Sequence, residues 1–166
     1  MEPLVTDETT FEAVYRASYA RLVGQLVIVT TSRAEAEEAV QEAFARLWAR
    51  WSTVRGYDNC EAWVRRVALN VAIGRHRKFL RQTVFTESAS SQGDPASSDL
   101  SILLALARLP RNQRAALLLH YVVGLSVEEI ATEMSTKLGT VKSWLSRGKA
   151  ELDSSLREEG GQEQSD

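Results

Sequence analysis

The chain of 166 residues has one cysteine (Cys60), two histidines and three prolines. A single thiol excludes a disulfide framework and any multi-cysteine zinc site. His76 and His120 lie far apart and neither has a second ligand at i+4, so no metal is expected. No run approaches the ~18 consecutive apolar residues that a membrane span needs. Residues 1–8 are acidic rather than basic and apolar, which argues against a secretory signal. There is no Gly-rich phosphate loop and no nucleophile with a plausible base, so neither an enzyme nor a bound cofactor is expected. Alternating strand patterns of useful length are also missing. A cytoplasmic, metal-free, cofactor-free, all-α protein is the expectation.

The formal charge of −2 conceals a strong segregation. Residues 151–166 carry six acids against Arg157 alone, a local charge of −5, which leaves +3 on everything before them. Residues 63–81 contain Arg65, Arg66, Arg75, Arg77, Lys78 and Arg81 and no acid. Residues 137–149 contain Lys137, Lys142, Arg147 and Lys149, again without an acid. Opposing them is an acidic run with Glu35, Glu37, Glu38 and Glu42. Such segregation suggests separate surfaces for separate partners, although charge runs are commonly solvated helix faces.

Period-3.6 stripes recur along the chain. The first contains Phe11, Val14, Tyr15, Ser18, Leu22, Leu26 and Val29. Ser32 with Glu35 reads as a capping box, opening a stripe of Ala36, Val40, Phe44, Leu47 and Trp51. Asp58 with Glu61 repeats the signature before Trp63, Val67, Ala68 and Val71. The serine-rich stretch 82–98 has too few apolar residues to bury and reads as a linker. Beyond it, Asp99 is expected to cap a short helix with Leu100, Leu103, Leu104 and Leu106. Pro110 fits the first turn of the next helix, with Ala115, Leu118, Leu119 and Val122 inward and Gly124 as its stop. The expected architecture is therefore two small helical domains, 8–80 and 99–156, joined by a flexible linker at 81–98 and followed by an acidic disordered tail at 157–166.

Two segments carry the chemistry. Ser126 and Glu129 form a third capping box on a short helix with Ile130, Ala131 and Met134, followed by a tight turn and a basic helix: a helix-turn-helix. Packing of the first helix on Val141 and Leu145 would leave Lys137, Thr140, Lys142, Ser143, Ser146, Arg147 and Lys149 for duplex DNA. Hydroxyls and guanidinium suit base edges, and lysines suit phosphates. The alternative is a helical hairpin with a basic outer face. In the helix at 63–81, Arg65, Arg66, Arg75, Arg77 and Lys78 are candidate backbone contacts. Asn70, an indifferent helix former, is either a base contact or an internal hydrogen bond. Trp48, Trp51, Tyr57 and Trp63 are either base-stacking partners or core.

Glu35-Ala36-Glu37-Glu38-Ala39-Val40-Gln41-Glu42-Ala43-Phe44, with Trp63-Val64, Ala68-Leu69-Asn70 and Arg75-His76-Arg77-Lys78, resembles region 2 of bacterial RNA polymerase sigma factors. Leu109-Pro110, Gln113-Arg114 and Gly139-Thr140-Val141-Lys142-Ser143 resemble region 4. With only a short linker between them, the chain resembles the extracytoplasmic-function (ECF) group of the sigma-70 superfamily. The resemblance implies a transcription initiation factor that binds the clamp and flap of core RNA polymerase and promoter DNA. Glu37, Glu38, Gln41 and Glu42 would face the clamp, with Phe44 and Leu47 in the core. Residues 48–70 would melt and hold the −10 element, with the cations at 65–78 on its backbone, and the helix at 139–149 would read the −35 element as duplex. An anti-sigma factor is a further partner that the linker would permit. The family pattern has Asp at Glu38, Gly at Ser135, Ser at Lys137 and often a basic residue at Trp144. The departures imply strain at Ser135, loss of a cap at Lys137 and loss of one phosphate contact at Trp144.

The rival from another class is a stand-alone helix-turn-helix regulator that binds duplex as a dimer. It accounts for 126–149 equally well but leaves the acidic run, Asn70 and the linker unexplained. A third reading is an adaptor that never touches DNA, for which Arg147 and Lys149 would be dispensable.

Overall fold

Helix α1 (Phe11–Thr30) begins where Thr10 Oγ1 accepts the Ala13 amide at 3.1 Å. It ends at Thr31, whose φ of 55° is left-handed. The computed structural model describes residues 10–82 and 97–161. In chain order α1 is followed by α2 (Arg33–Ala49), a single turn α3 (Trp51–Val54), α4 (Cys60–Gln82), α5 (Ser97–Ala107), α6 (Arg111–Leu117), a π-helical turn (Leu118–Val123), α7 (Val127–Glu133) and α8 (Leu138–Gly160). No strand occurs among the described residues, and no helix there is long and apolar enough to cross a membrane. Residues 83–96 of the expected linker and 162–166 of the tail lie outside the described residues, as do residues 1–9.

The caps partly depart from expectation. At Ser32 only half of the box forms: Ser32 Oγ accepts the Glu35 amide at 3.3 Å, while the Glu35 carboxylate is drawn to Arg111. At the start of α4 the cap is Asn59, whose Oδ1 accepts the Ala62 amide at 2.9 Å, not Asp58. Glu61 instead reaches across to Arg21 Nε at 2.7 Å. α5 begins at Ser97, ahead of Asp99. Pro110 stands just outside α6, in extended conformation (ψ 146°), rather than in its first turn. The box at Ser126 is complete, with both bonds made, 2.7 and 3.1 Å long. Those bonds hold the Glu129 carboxyl below its ordinary pKa.

The π turn explains another departure. Ala115, Leu118 and Leu119 are buried as the α periodicity predicts, but Val122 is 57% exposed. A π turn takes more residues per revolution, so positions after Leu119 rotate out of the α register and Val123 turns inward instead. Gly124 then ends the helix at φ 87°, a conformation that suits glycine. At the other end of the chain α8 continues through residues 157–160, where a disordered tail was expected. Arg108, following α5, holds it there by bonding Ser155 Oγ at 3.3 Å and pairing with Glu158 at 3.8 Å.

The core is shared by the two halves. Leu22, Leu26 and Val29 of α1 pack with Val40, Phe44 and Leu47 of α2 and with Val64 and Ala68 of α4. The same apolar cluster continues into Ala115, Leu118, Leu119, Ile130 and Val141 of the second half. Each fully buried leucine there contributes roughly 1.5–3 kcal/mol. Close packing recurs where α8 crosses α6: a Cβ on Gly148 would sit 3.0 Å from Leu117 Cδ1.

Candidate nucleic-acid interface

α7, the turn at Ser135–Thr136 and α8 form the helix-turn-helix. Ile130 and Val141 are fully buried between its helices, and Ala131, Met134, Trp144 and Leu145 pack around them. Lys137, Lys142, Ser146, Arg147 and Lys149 are exposed, whereas Thr140 and Ser143 are half-buried. Ser135 adopts φ 50°, the left-handed conformation in which a side chain is strained. Ser135→Gly is therefore expected to stabilise the fold by about 1 kcal/mol, since relief of the strain exceeds the added chain entropy. The check is a higher urea midpoint at unchanged slope.

One of the expected −10 residues does not reach the surface. Arg65 is only 7% exposed, and its Nε is buried without a hydrogen-bond partner among the described residues, so Arg65 is corrected from a DNA contact to an interior side chain. Its position explains this: it lies four and seven residues before the buried Leu69 and Ala72, on the same face of α4. Arg66, Asn70 and Arg77 line a cleft of about 420 Å³ whose opposite wall includes Ser135, Thr136 and Trp144 of the helix-turn-helix. Arg66 Nη2 donates to the Thr132 carbonyl across it at 3.3 Å. Asn70 is exposed and makes no side-chain hydrogen bond among the described residues, which removes the internal-bond reading. Arg75 and Lys78 border a second hollow with Glu42, and Asn70 lines that one too, so the two hollows meet at Asn70. The aromatic set divides too: Trp48 is 66% exposed and Tyr57 exposed, while Trp51 and Trp63 pack against the core.

Every member of the acidic run is engaged. Glu37 pairs with Arg33 at 2.9 Å, Glu38 with Arg75 at 3.4 Å, and Glu42 with both Arg46 and Arg75. Gln41 Nε2 donates to the Tyr19 hydroxyl at 3.2 Å. Exposed pairs of this kind are worth about 0–1 kcal/mol each, so a partner's cation can replace them at little cost. Phe44 and Leu47 are buried.

Sequence reasoning missed the polar joint between the halves. Arg111 at the start of α6 holds Glu35 of α2 bidentately, with Nη2 to Oε2 at 2.8 Å, and also donates to the Ala72 carbonyl at 2.9 Å. Beside it Arg114, almost fully buried, reaches Thr31 Oγ1 at 3.4 Å. Burial and the neighbouring Arg111 push the Arg114 guanidinium down to about 10. Partners 76 residues apart leave no periodic trace, and Glu35 had a sufficient local role as a cap.

Comparison with known proteins accounts for both halves. The model of sigma-70 region 2 matches residues 14–82, and that of sigma-70 region 4 matches residues 99–152. The RNA polymerase sigma-H factor of Pseudomonas aeruginosa is 28% identical over 170 residues, covering 91% of this chain and 88% of the relative. The ECF RNA polymerase sigma factor SigE of Mycolicibacterium smegmatis is 31% identical over 155 residues, covering 85% of this chain and 56% of the relative. Among solved structures, the sigma factor RpoE from Bartonella quintana, crystallised with the anti-sigma factor NepR, superposes with a TM-score of 0.71 at 27% identity, covering 89% of this chain and 96% of that one. Matched by both region models in order, and similar along most of its length to named ECF factors, the chain belongs to the ECF group of sigma-70 RNA polymerase sigma factors.

Proposed function

We propose that this sigma factor binds core RNA polymerase through the α2 face carrying Glu37, Glu38, Gln41 and Glu42, and that the two basic helices divide promoter reading between them. The exposed face of α8 takes the −35 element as duplex, because a helix-turn-helix projects its second helix into a major groove. Arg66, Asn70 and Arg77 of α4 take the −10 element once its strands part, since unpaired base edges and backbone need a polar, cationic face. The observation that carries this reading is the joint presence of both sigma regions, with an exposed basic face on each of these helices. Catalysis belongs to the polymerase, and the chain acts in the cytoplasm, where the polymerase is. An anti-sigma factor, such as the one bound to the Bartonella relative, is a further partner.

In the free chain Ser135 and Thr136 line the same cleft as the exposed Asn70, which narrows the approach of a promoter strand until the second half moves away. Polymerase binding is the event that parts the halves.

Transcription reconstituted from core polymerase, this chain and a promoter library tests the reading. Start sites that appear only with the chain are expected; tight binding of free duplex by a dimer, without polymerase, would favour the stand-alone regulator. Arg147→Ala is expected to cost about 1–3 kcal/mol at a guanine in the −35 element and to relax specificity there. Lys149→Ala should instead weaken all sequences alike and flatten the salt dependence of binding. Competition assays over a range of salt concentrations separate the two patterns.

A further inference from the structure

A second cavity between the halves, of about 570 Å³, is walled by Thr31, Ser32, Glu35 and His76 from the first half and by Arg111 and Arg114 from the second. Its charges are unequally matched. Glu35 is held by Arg111, and Arg75 at the rim is held by Glu38 and Glu42. Arg114 is 5% exposed and has no carboxylate partner among the described residues. Its one hydrogen bond there is the long one to a neutral hydroxyl, Thr31 Oγ1 at 3.4 Å, and its Nε is buried with none. Buried guanidinium groups are ordinarily paired, because an uncompensated buried charge costs several kcal/mol.

Two further features put positive potential into the same space. The 17-residue helix α2 starts at this wall, with its N-cap Ser32 and first-turn Glu35 among the lining residues, so the positive end of its dipole lies beside the cavity. His76 is held below its ordinary pKa by burial and then by Arg111 and Arg114, against an opposing pull from Glu35.

We propose that this cavity binds a small oxyanion of the phosphate class, held by Arg114 beside the N-terminal end of α2, and that the bound anion clamps the two halves together. A guanidinium fork and helix amides match tetrahedral oxyanions in geometry as well as charge. Because the walls come from both halves, the anion binds the closed arrangement and not the parted one, so occupancy opposes opening by mass action.

The test is a titration of the full chain with inorganic phosphate, with NaCl adjusted to constant ionic strength. Melting temperature and the ring resonances of His76 and His120 are followed together. A saturable rise in melting temperature is expected, with the His76 pKa moving up as a negative charge arrives and His120, on the π turn outside the cavity, unmoved. Arg114→Gln is expected to raise the phosphate midpoint by at least about tenfold, as loss of a charge-assisted bond implies. In NaCl alone that variant should melt no lower than the wild type, since a buried unpaired cation has been removed. If Arg114→Gln fails to fold, Arg114→Lys replaces it and should bind phosphate more weakly, having lost the fork. Adenosine monophosphate in place of phosphate separates the sources: a lower midpoint identifies a phosphate on an organic carrier, and an equal one identifies free phosphate. A response reproduced by NaCl, an unmoved His76, or a wild-type midpoint in Arg114→Gln would overturn the proposal.

Discussion

Arg111→Ala is expected to weaken the contact between the halves by about 3 kcal/mol, the lower end of the cost of breaking a buried pair. The substitution removes both bonds to Glu35 and the bond to the Ala72 carbonyl, and leaves a half-buried carboxylate without its hydrogen-bonded cation. Glu35 retains some exposure, which is why the lower end applies. The consequence for function runs opposite to that for stability. If the halves must part before the promoter strand reaches Asn70, a chain held closed binds with its affinity reduced by the open fraction. Weakening the joint by about 3 kcal/mol shifts the closed–open equilibrium by roughly two orders of magnitude. Arg111→Ala should therefore scatter X-rays as a larger particle, melt earlier and yet support transcription at lower chain concentration. A variant that melts earlier, stays closed in scattering and requires more chain would show that the joint serves folding alone.

The second large effect is expected at Asn70. Its side chain is exposed, lines the cleft and makes no hydrogen bond among the described residues, so Asn70→Ala removes nothing the fold uses. Alanine is also the better helix former by up to ~0.7 kcal/mol, and melting temperature should hold or rise. Open-complex formation should fall by about tenfold or more, the worth of a good polar contact to a base edge. Binding to polymerase should be spared, because the α2 face is untouched. On a promoter melted in advance, a variant defective only in opening regains activity, and one that has lost its hold on the displaced base does not. Unfolding of the first half by Asn70→Ala would make the residue structural.

Much of this architecture is legible in the sequence because local physics dictates it. The stripes of α1 and α2 put Leu22, Leu26, Val40 and Phe44 inside, and burial follows them. The Ser126–Glu129 box and the Gly124 stop form as their spacing requires. What the periodicity misplaces is Val122, because a π turn breaks the register that the rule assumes. What it misses altogether lies between elements distant in sequence. Arg65 reads as one of a run of surface cations until the fold turns its side of α4 inward. The Glu35–Arg111 joint and the unpaired Arg114 depend on how the halves meet, and separate helices carry no record of that.

In the proposed function one chain reads two promoter elements with two faces that the free molecule keeps together. Cys60 is the only cysteine, so a Cys60→Ser background with Ala45→Cys on α2 and Ala150→Cys on α8, both exposed positions, accepts a donor and an acceptor dye. Energy transfer between them is then measured in the free chain, with core polymerase, and with polymerase on a promoter. High transfer in the free chain and its collapse when the polymerase–promoter complex forms is the predicted result. Transfer that stays high while that complex transcribes would contradict the account, because the two faces would then be reading DNA without having parted.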